Sequence, residues 1–137
     1  MISTLIDAGP MIALFNRDDR YHTAMVDFLK TFQGRLFSTW PVLTEVTHML
    51  DFNPLVQIDF LTWIANGAVT MVNLDQTDIE RIIELAGKYA DLPMDLADGS
   101  LLAIAEREKI RNVITIDSDY YVYRMKNKRA MKILFKP

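Results

Sequence analysis

The 137-residue sequence has no cysteine, which excludes disulfide frameworks, thiolate zinc sites, iron–sulfur clusters and cysteine nucleophiles. It also lacks any long apolar run. Stretches such as Met11 to Phe15 and Leu101 to Ala105 are typical, far below the roughly 20 residues that cross a bilayer. No basic segment followed by an apolar stretch opens the chain, so no signal peptide is expected. Internal repeats, linkers and low-complexity tracts are missing as well. The remaining composition is ordinary: half the residues are apolar and 24% are charged, as in a globular protein and not a disordered one. The length suits one hydrophobic core, so the expectation is a single cytoplasmic domain over residues 1–137.

The net charge of −3 conceals an asymmetry. Residues 106–137 carry nine basic side chains against four acidic ones, a balance of +5, and the preceding 105 residues balance at −8. As single side chains these are solvated surface charges. As a block, the basic tail is a candidate phosphate-binding edge on an acidic body. Overall acidity argues against a protein that coats nucleic acid by charge alone, but it leaves room for a metal-dependent enzyme that acts on nucleic acid.

Short strand-like runs alternate with longer helical ones. Ile2 to Ile6 reads as a strand that stops at Asp7-Ala-Gly-Pro10, and Pro10 suits the first turn of a helix through Asn16. Met25, Phe28, Leu29 and Phe32 line one face of a helix over 22–32. A weak strand at Leu36 to Ser38 leads into a helix from Pro41 to about Leu50, and Leu55 to Ala65 is a further helix. Val69 to Leu74 is a strand, and Asp75 and Thr77 can cap the helix after it. Asp95 to Lys109 forms a helix, Val113 to Ile116 an almost wholly apolar strand, and Lys132 to Phe135 a last edge strand. This order predicts an α/β domain of three layers with a mostly parallel central sheet.

Asp7 and Asp117 each follow an apolar strand, and in open α/β sheets ligands bind just outside the carboxyl ends of the strands. Taken singly, each fits equally well as a turn-forming Asp. Glu45 has Val42 and Met49 at i−3 and i+4, and Asp98 is followed by Leu101 and Leu102. A lone carboxylate in such surroundings costs several kcal/mol unless something pairs with it. The plainer alternative is that Asp95 caps its helix and Asp98 is a favourable first-turn acid. Should Asp7, Glu45, Asp98 and Asp117 converge, two such charges about 5 Å apart would repel by roughly 3 kcal/mol at an effective dielectric near 20. No lysine or arginine stands at a matching place in those segments. Oxygen-only ligands without cysteine favour a hard divalent ion, Mg²⁺ or Mn²⁺.

The order Leu5-Ile-Asp7-Ala-Gly-Pro-Met-Ile-Ala-Leu-Phe15, Thr44-Glu45-Val46, Asp95-Leu-Ala-Asp98-Gly-Ser-Leu-Leu102 and Thr115-Ile-Asp117-Ser-Asp119-Tyr120 resembles the PIN-domain ribonucleases, in particular the VapC-type toxins of toxin–antitoxin pairs. The likeness runs from Ile2 to about Phe135. It implies hydrolysis of an RNA phosphodiester, with Mg²⁺ or Mn²⁺ held chiefly by Asp7 and Asp98, Asp117 as a further ligand, and Glu45 orienting the water. Thr115, Asp95 and Asp119 would stand in the outer shell, with capping and turn formation the alternative for the two acids. Arg124, Lys126 and Lys128 would bind flanking phosphates, and Trp40 or Tyr120 would stack a base, although Trp40 also suits the core. A homodimer is implied, blocked by an antitoxin protein that fills the acidic groove. Two departures stand out: Ala8 replaces the hydroxyl residue many relatives carry after the first acid, and Gly99 replaces the usual alanine after the third.

Other readings fit less well. A haloacid-dehalogenase-type phosphatase needs a second Asp two residues after the first, where Gly9 stands, and a phosphoacceptor receiver domain needs paired acids and a late lysine. Glu45 and His48 form one Glu-x-x-His pair, but di-iron bundles use two. His48 and His22 are read as ordinary core or surface residues. The reading from another class is a catalytically weak PIN-like module that binds RNA or protein, and Ala8 is its one support.

Overall fold

The alternating pattern folds, in the computed structural model, which describes residues 2–137, as five strands, the first three each followed by two helices. β1 (Ser3–Ile6) leads to α1 (Ala8–Phe15) and α2 (His22–Thr31), and β2 (Arg35–Thr39) to α3 (Trp40–Met49) and α4 (Pro54–Ala65). Then come β3 (Val69–Val72), α5 (Gln76–Lys88) and α6 (Leu96–Glu108), followed by β4 (Asn112–Ile114), a 3₁₀ turn (Ser118–Tyr121) and β5 (Lys132–Ile133). The sheet order is β3-β2-β1-β4-β5 and every adjacent pair is parallel. A parallel sheet is covered on both faces. Accordingly Leu5 and Ile6 in the central strand β1 and Val113 and Ile114 in its neighbour β4 are fully buried. The right-handed crossover rule puts the helices between β1 and β3 on one face and α5 and α6 on the other.

The chain steps outward from β1 to β3, then returns to lay β4 on the other side of β1. The boundary between β1 and β4 is therefore the topological switch point, where the helices on either side diverge and leave a crevice beyond the strand ends. The last residue of β1, Ile6, pairs with the last of β4, Ile114. The segments that leave these two strands therefore emerge side by side.

Several boundaries differ from those the sequence predicts. β4 stops at Ile114 and leaves Thr115 and Ile116 outside the ladder. Pro10 is the third residue of α1, whose cap is Asp7 itself: its Oδ1 accepts the Ala8 N–H at 2.8 Å. Trp40, a candidate for the core, is exposed and donates its indole N–H to Asn73 Oδ1. Among the described residues no helix is long and apolar enough to cross a membrane.

α6 is held to α5 by two ion pairs on their flanks, Arg81 with Glu106 at 2.8 Å and Arg107 with Asp78 at 3.0 Å. The two helices approach closely at Gly99, where an added Cβ would lie 2.9 Å from Ile82 Cγ2. That approach is the physical reason this position carries no side chain. Gly99→Ala is expected to cost about 1–3 kcal/mol, the usual range for overpacking a stiff β-branched neighbour. Combining it with Ile82→Ala should cost less than the sum of the single changes in denaturant unfolding. Strict additivity would show that the Gly99 site does not press on Ile82.

Candidate active site

Asp7 leaves β1 at the switch point and is buried. Besides capping α1, its carboxylate accepts a hydrogen bond at Oδ2 from the Thr115 hydroxyl at 2.9 Å. Thr115 itself accepts the Asp117 N–H at 3.0 Å, so one hydroxyl fixes the exits of β1 and β4 relative to each other. Asp117 in turn caps the 3₁₀ turn by accepting the Asp119 N–H at 2.9 Å. Both acids have the local capping roles of turn-forming residues, and yet they face one crevice.

Asp98 comes from the first turn of α6. Asp95 caps that helix by accepting the Asp98 N–H at 2.8 Å, which leaves the Asp98 carboxylate free to point away. One carboxylate oxygen each from Asp7, Asp98 and Asp117 lies within 4.8 Å of the other two. Among the described residues no lysine or arginine forms an ion pair with any of them. The electrostatic result is visible in their proton affinities. Burial pushes the Asp7 carboxyl up from 3.8 to about 6; the bonds from Ala8 and Thr115 oppose this, and the Glu45 and Asp117 charges reinforce it. Asp98 is pushed up to about 8, first by burial and then by the charges of Asp7, Asp95 and Asp117, against a small opposing effect of its bond from Tyr123.

Three convergent carboxylates without a counterion are a poor arrangement for any protein that leaves them unneutralised. The donor set fits a hard divalent cation: it is all oxygen, and an octahedral Mg²⁺ shell with ligands at about 2.1 Å is about 4.2 Å across, close to the observed spread.

Glu45 is not part of this triad. It projects from α3 on an exposed face, and Met49, expected to bury it, is exposed too. Its carboxyl is nonetheless raised, by partial burial first and then by the charges of Asp95 and Asp117. Glu45 therefore stands at the rim. Asp95 is exposed and committed to its cap, and Asp119 is half-buried beyond Asp117.

The structure overturns the stacking role of Tyr120, which is fully buried with a hydroxyl that has no hydrogen-bond partner. Burial and then the nearby Asp7 and Asp98 charges raise its pKa well above 10. Arg124 is also used internally: its Nη1 donates to the carbonyls of Tyr121, Val122 and Tyr123 at 2.7–3.0 Å. The side chains of Lys126 and Lys128 are exposed.

Four residues of the site region are not evident from the sequence. Tyr123 donates its hydroxyl to Asp98 at 3.3 Å, and no spacing announces it within a basic tail. The hydroxyls of Thr39 and Ser100 share a 2.6 Å hydrogen bond, and Ser38 donates to the Ile6 carbonyl at 2.9 Å. These buried hydroxyls tie the end of β2 to α6 and β1. A polar run closing an apolar strand, Ser38-Thr39, is the signal available for two of them.

A parallel sheet with an acid triad at its switch point defines the class, and the sequence profile described as PIN domain matches residues 4–126. The chain belongs to the PIN domain family. Its relatives include Ribonuclease VapC26 of Mycobacterium tuberculosis, 23% identical over 119 residues that make up 85% of this chain and 88% of that protein. Among solved structures, the fold is similar to Mycobacterium tuberculosis VapC20, described as a sarcin–ricin loop cleaving toxin. The TM-score is 0.79 at 15% identity, covering 87% of this chain and 93% of that one. It is also similar to VapBC2 from Rickettsia felis bound to a promoter DNA fragment, with a TM-score of 0.61 at 11% identity over 88% and 92% of the two chains. A toxin–antitoxin complex from Klebsiella pneumoniae gives a TM-score of 0.59 at 22% identity over 84% and 87%.

Proposed function

We propose that the chain is an endoribonuclease dependent on Mg²⁺ or Mn²⁺, and the toxin of a toxin–antitoxin pair that acts in the cytoplasm. The observation that carries this reading is the convergence of Asp7, Asp98 and Asp117 within 4.8 Å at the switch point of a PIN fold. Asp7 and Asp98 would hold the ion, with Asp117 as a third ligand. Such an ion supplies charge neutralisation for the phosphate and a lowered pKa for water. The Ala8 N–H and the Thr115 hydroxyl hold the Asp7 carboxylate in one orientation, and Tyr123 does the same for Asp98. Glu45, at the rim with a raised carboxyl, orients the attacking water and accepts its proton. Asp95 and Asp119 stand outside the triad.

An RNA hairpin is the substrate class to try first, since VapC20, of similar fold, is described as cleaving the sarcin–ricin loop. An antitoxin and a second copy of the chain are the proposed partners. The exposed apolar side chains of Phe52, Leu55, Ile58 and Leu61 call for such a cover. The alternative, a weakly catalytic binding module, has Ala8 in its favour, where a hydroxyl beside the first acid is missing.

The test is cleavage of structured RNAs, a sarcin–ricin hairpin among them, with and without divalent ion, beside Asp7→Asn. Cleavage that needs the ion and disappears in the variant is the expected result. No cleavage of any RNA, together with no metal binding by calorimetry, would leave the binding module.

A further inference from the structure

Part of the basic excess of the C-terminal quarter lies away from the acids. β4 begins after Arg111 and β5 begins at Lys132, so these residues stand at the amino ends of the strands, opposite the crevice. There a cavity of about 480 Å³ opens between the C-terminal end of α6 and the β4–β5 connection. Four cationic residues, Lys109, Arg111, Lys126 and Arg129, line it over an apolar floor that includes Ile110 and Met125. Its one acid, Glu106, is already neutralised by two hydrogen bonds from Arg81 and one from the Lys126 N–H. Among the described residues none of the four cations makes an ion pair. Among the described residues, the two non-glycine residues with left-handed backbone, Lys109 (φ 56°) and Lys128 (φ 65°), lie in or beside this pocket, at positions where glycine or asparagine is the usual occupant.

We propose that this cationic pocket is a second RNA-binding site, which takes backbone phosphates of the substrate away from the acid centre. The inference rests on the reading of the chain as an RNA-cleaving enzyme and extends it. The β4–β5 connection is pinned along the flank of α6, by the Tyr123 hydroxyl on Asp98 at one end and by the Lys126 N–H on Glu106 at the other. Acid centre and pocket thus lie at the two ends of one flank. From Asp98 to Glu106 the helix advances about 12 Å, a distance that a few base pairs of an A-form RNA stem span. A hairpin whose loop enters the crevice would set its stem phosphates against the pocket. The charge layout favours this occupant: the crevice is rimmed by Glu45, Asp95 and Asp119 and attracts a polyanion only through its ion, so affinity for RNA must come from elsewhere on an acidic body.

The triple variant Lys109→Gln, Arg111→Gln, Arg129→Gln tests the proposal. Affinity for a sarcin–ricin hairpin is measured by fluorescence anisotropy in an Asp98→Asn background, with salt varied from about 50 to 200 mM. Each lost phosphate contact lowers the salt slope by about 0.9, so a fall of about 2–3 and at least a tenfold weaker affinity are expected. With Asp98 intact, the triple variant should keep its kcat/KM for a short single-stranded oligonucleotide too short to reach the pocket. Arg129→Glu alone, an exposed single change, serves if the triple variant unfolds, and should lower the slope by at least about 1. An unchanged slope overturns the proposal even where the wild-type protein cleaves RNA. Displacement of the hairpin by oligoglutamate at equal concentration also overturns it, since it would assign the pocket to an acidic protein segment. Failure of the nuclease reading itself would appear separately, as wild-type protein that cleaves nothing.

Discussion

Asp98→Asn is expected to abolish RNA cleavage and, without metal, to raise the melting temperature, by an amount that grows from about pH 4 and is full above about pH 8. The carboxylate is one of three that converge within 4.8 Å, and an ion in such a site stabilises the reacting charges by several kcal/mol, about a thousandfold in rate. Asparagine keeps the shape and the backbone N–H through which residue 98 engages the Asp95 cap. It removes a charge that burial opposes first, and the charges of Asp7, Asp95 and Asp117 after it. A gain near 1 kcal/mol would raise the midpoint by roughly 3–6 °C in a domain of this size. A variant that cleaves at the wild-type rate removes Asp98 from the metal set. A fall in the metal-free melting temperature would show that the carboxylate is not a source of repulsion.

Opposite effects on activity and stability are the signature of a charge kept for chemistry, and the sequence displays that conflict only in part. Asp7, Asp98 and Asp117 are legible because each stands at a strand exit or a helix start, positions set by local periodicity. That they face one another depends on the sheet order β3-β2-β1-β4-β5, which no local pattern contains. The burial expected of Glu45 rests on Val42 and Met49, of which Val42 is buried and Met49 is not, and helical spacing cannot tell a core face from one left in solvent. Trp40 and Tyr120 exchange places for a related reason. Both are amphipathic aromatics whose depth is set by tertiary packing, and Tyr120 goes inward while Trp40 stays at the surface. The basic tail is legible as a block, but its place is not. Residues 124–129 follow Asp117 closely in sequence, yet the connection runs down the flank of α6 and brings Lys126 beside Glu106, at the far end of that helix.

Burial of these carboxyls, with the repulsion among them added to it, also fixes how stability should respond to pH. In the folded protein Asp7 holds its proton to about pH 6 and Asp98 to about pH 8, and in the unfolded chain both lose it near 3.8. Between those limits the folded state binds more protons than the unfolded one, so the stability contributed by these groups falls as pH rises from about 4 to about 8. Below that window both states are protonated and above it neither is, so their contribution is flat on either side. The metal-free protein should therefore melt at a lower temperature at about pH 8 than at about pH 5. Saturating Mg²⁺ or Mn²⁺ should reverse much of the loss, because an ion that displaces these protons binds more tightly as pH rises and stabilises the fold that holds it. Asp7→Asn combined with Asp98→Asn should flatten both responses, as neither carboxyl is left to titrate or to bind. A metal-free wild-type melting temperature that rises from pH 5 to pH 8 would mean that the triad is already neutralised by the protein, and the case for a divalent ion would lose its electrostatic basis.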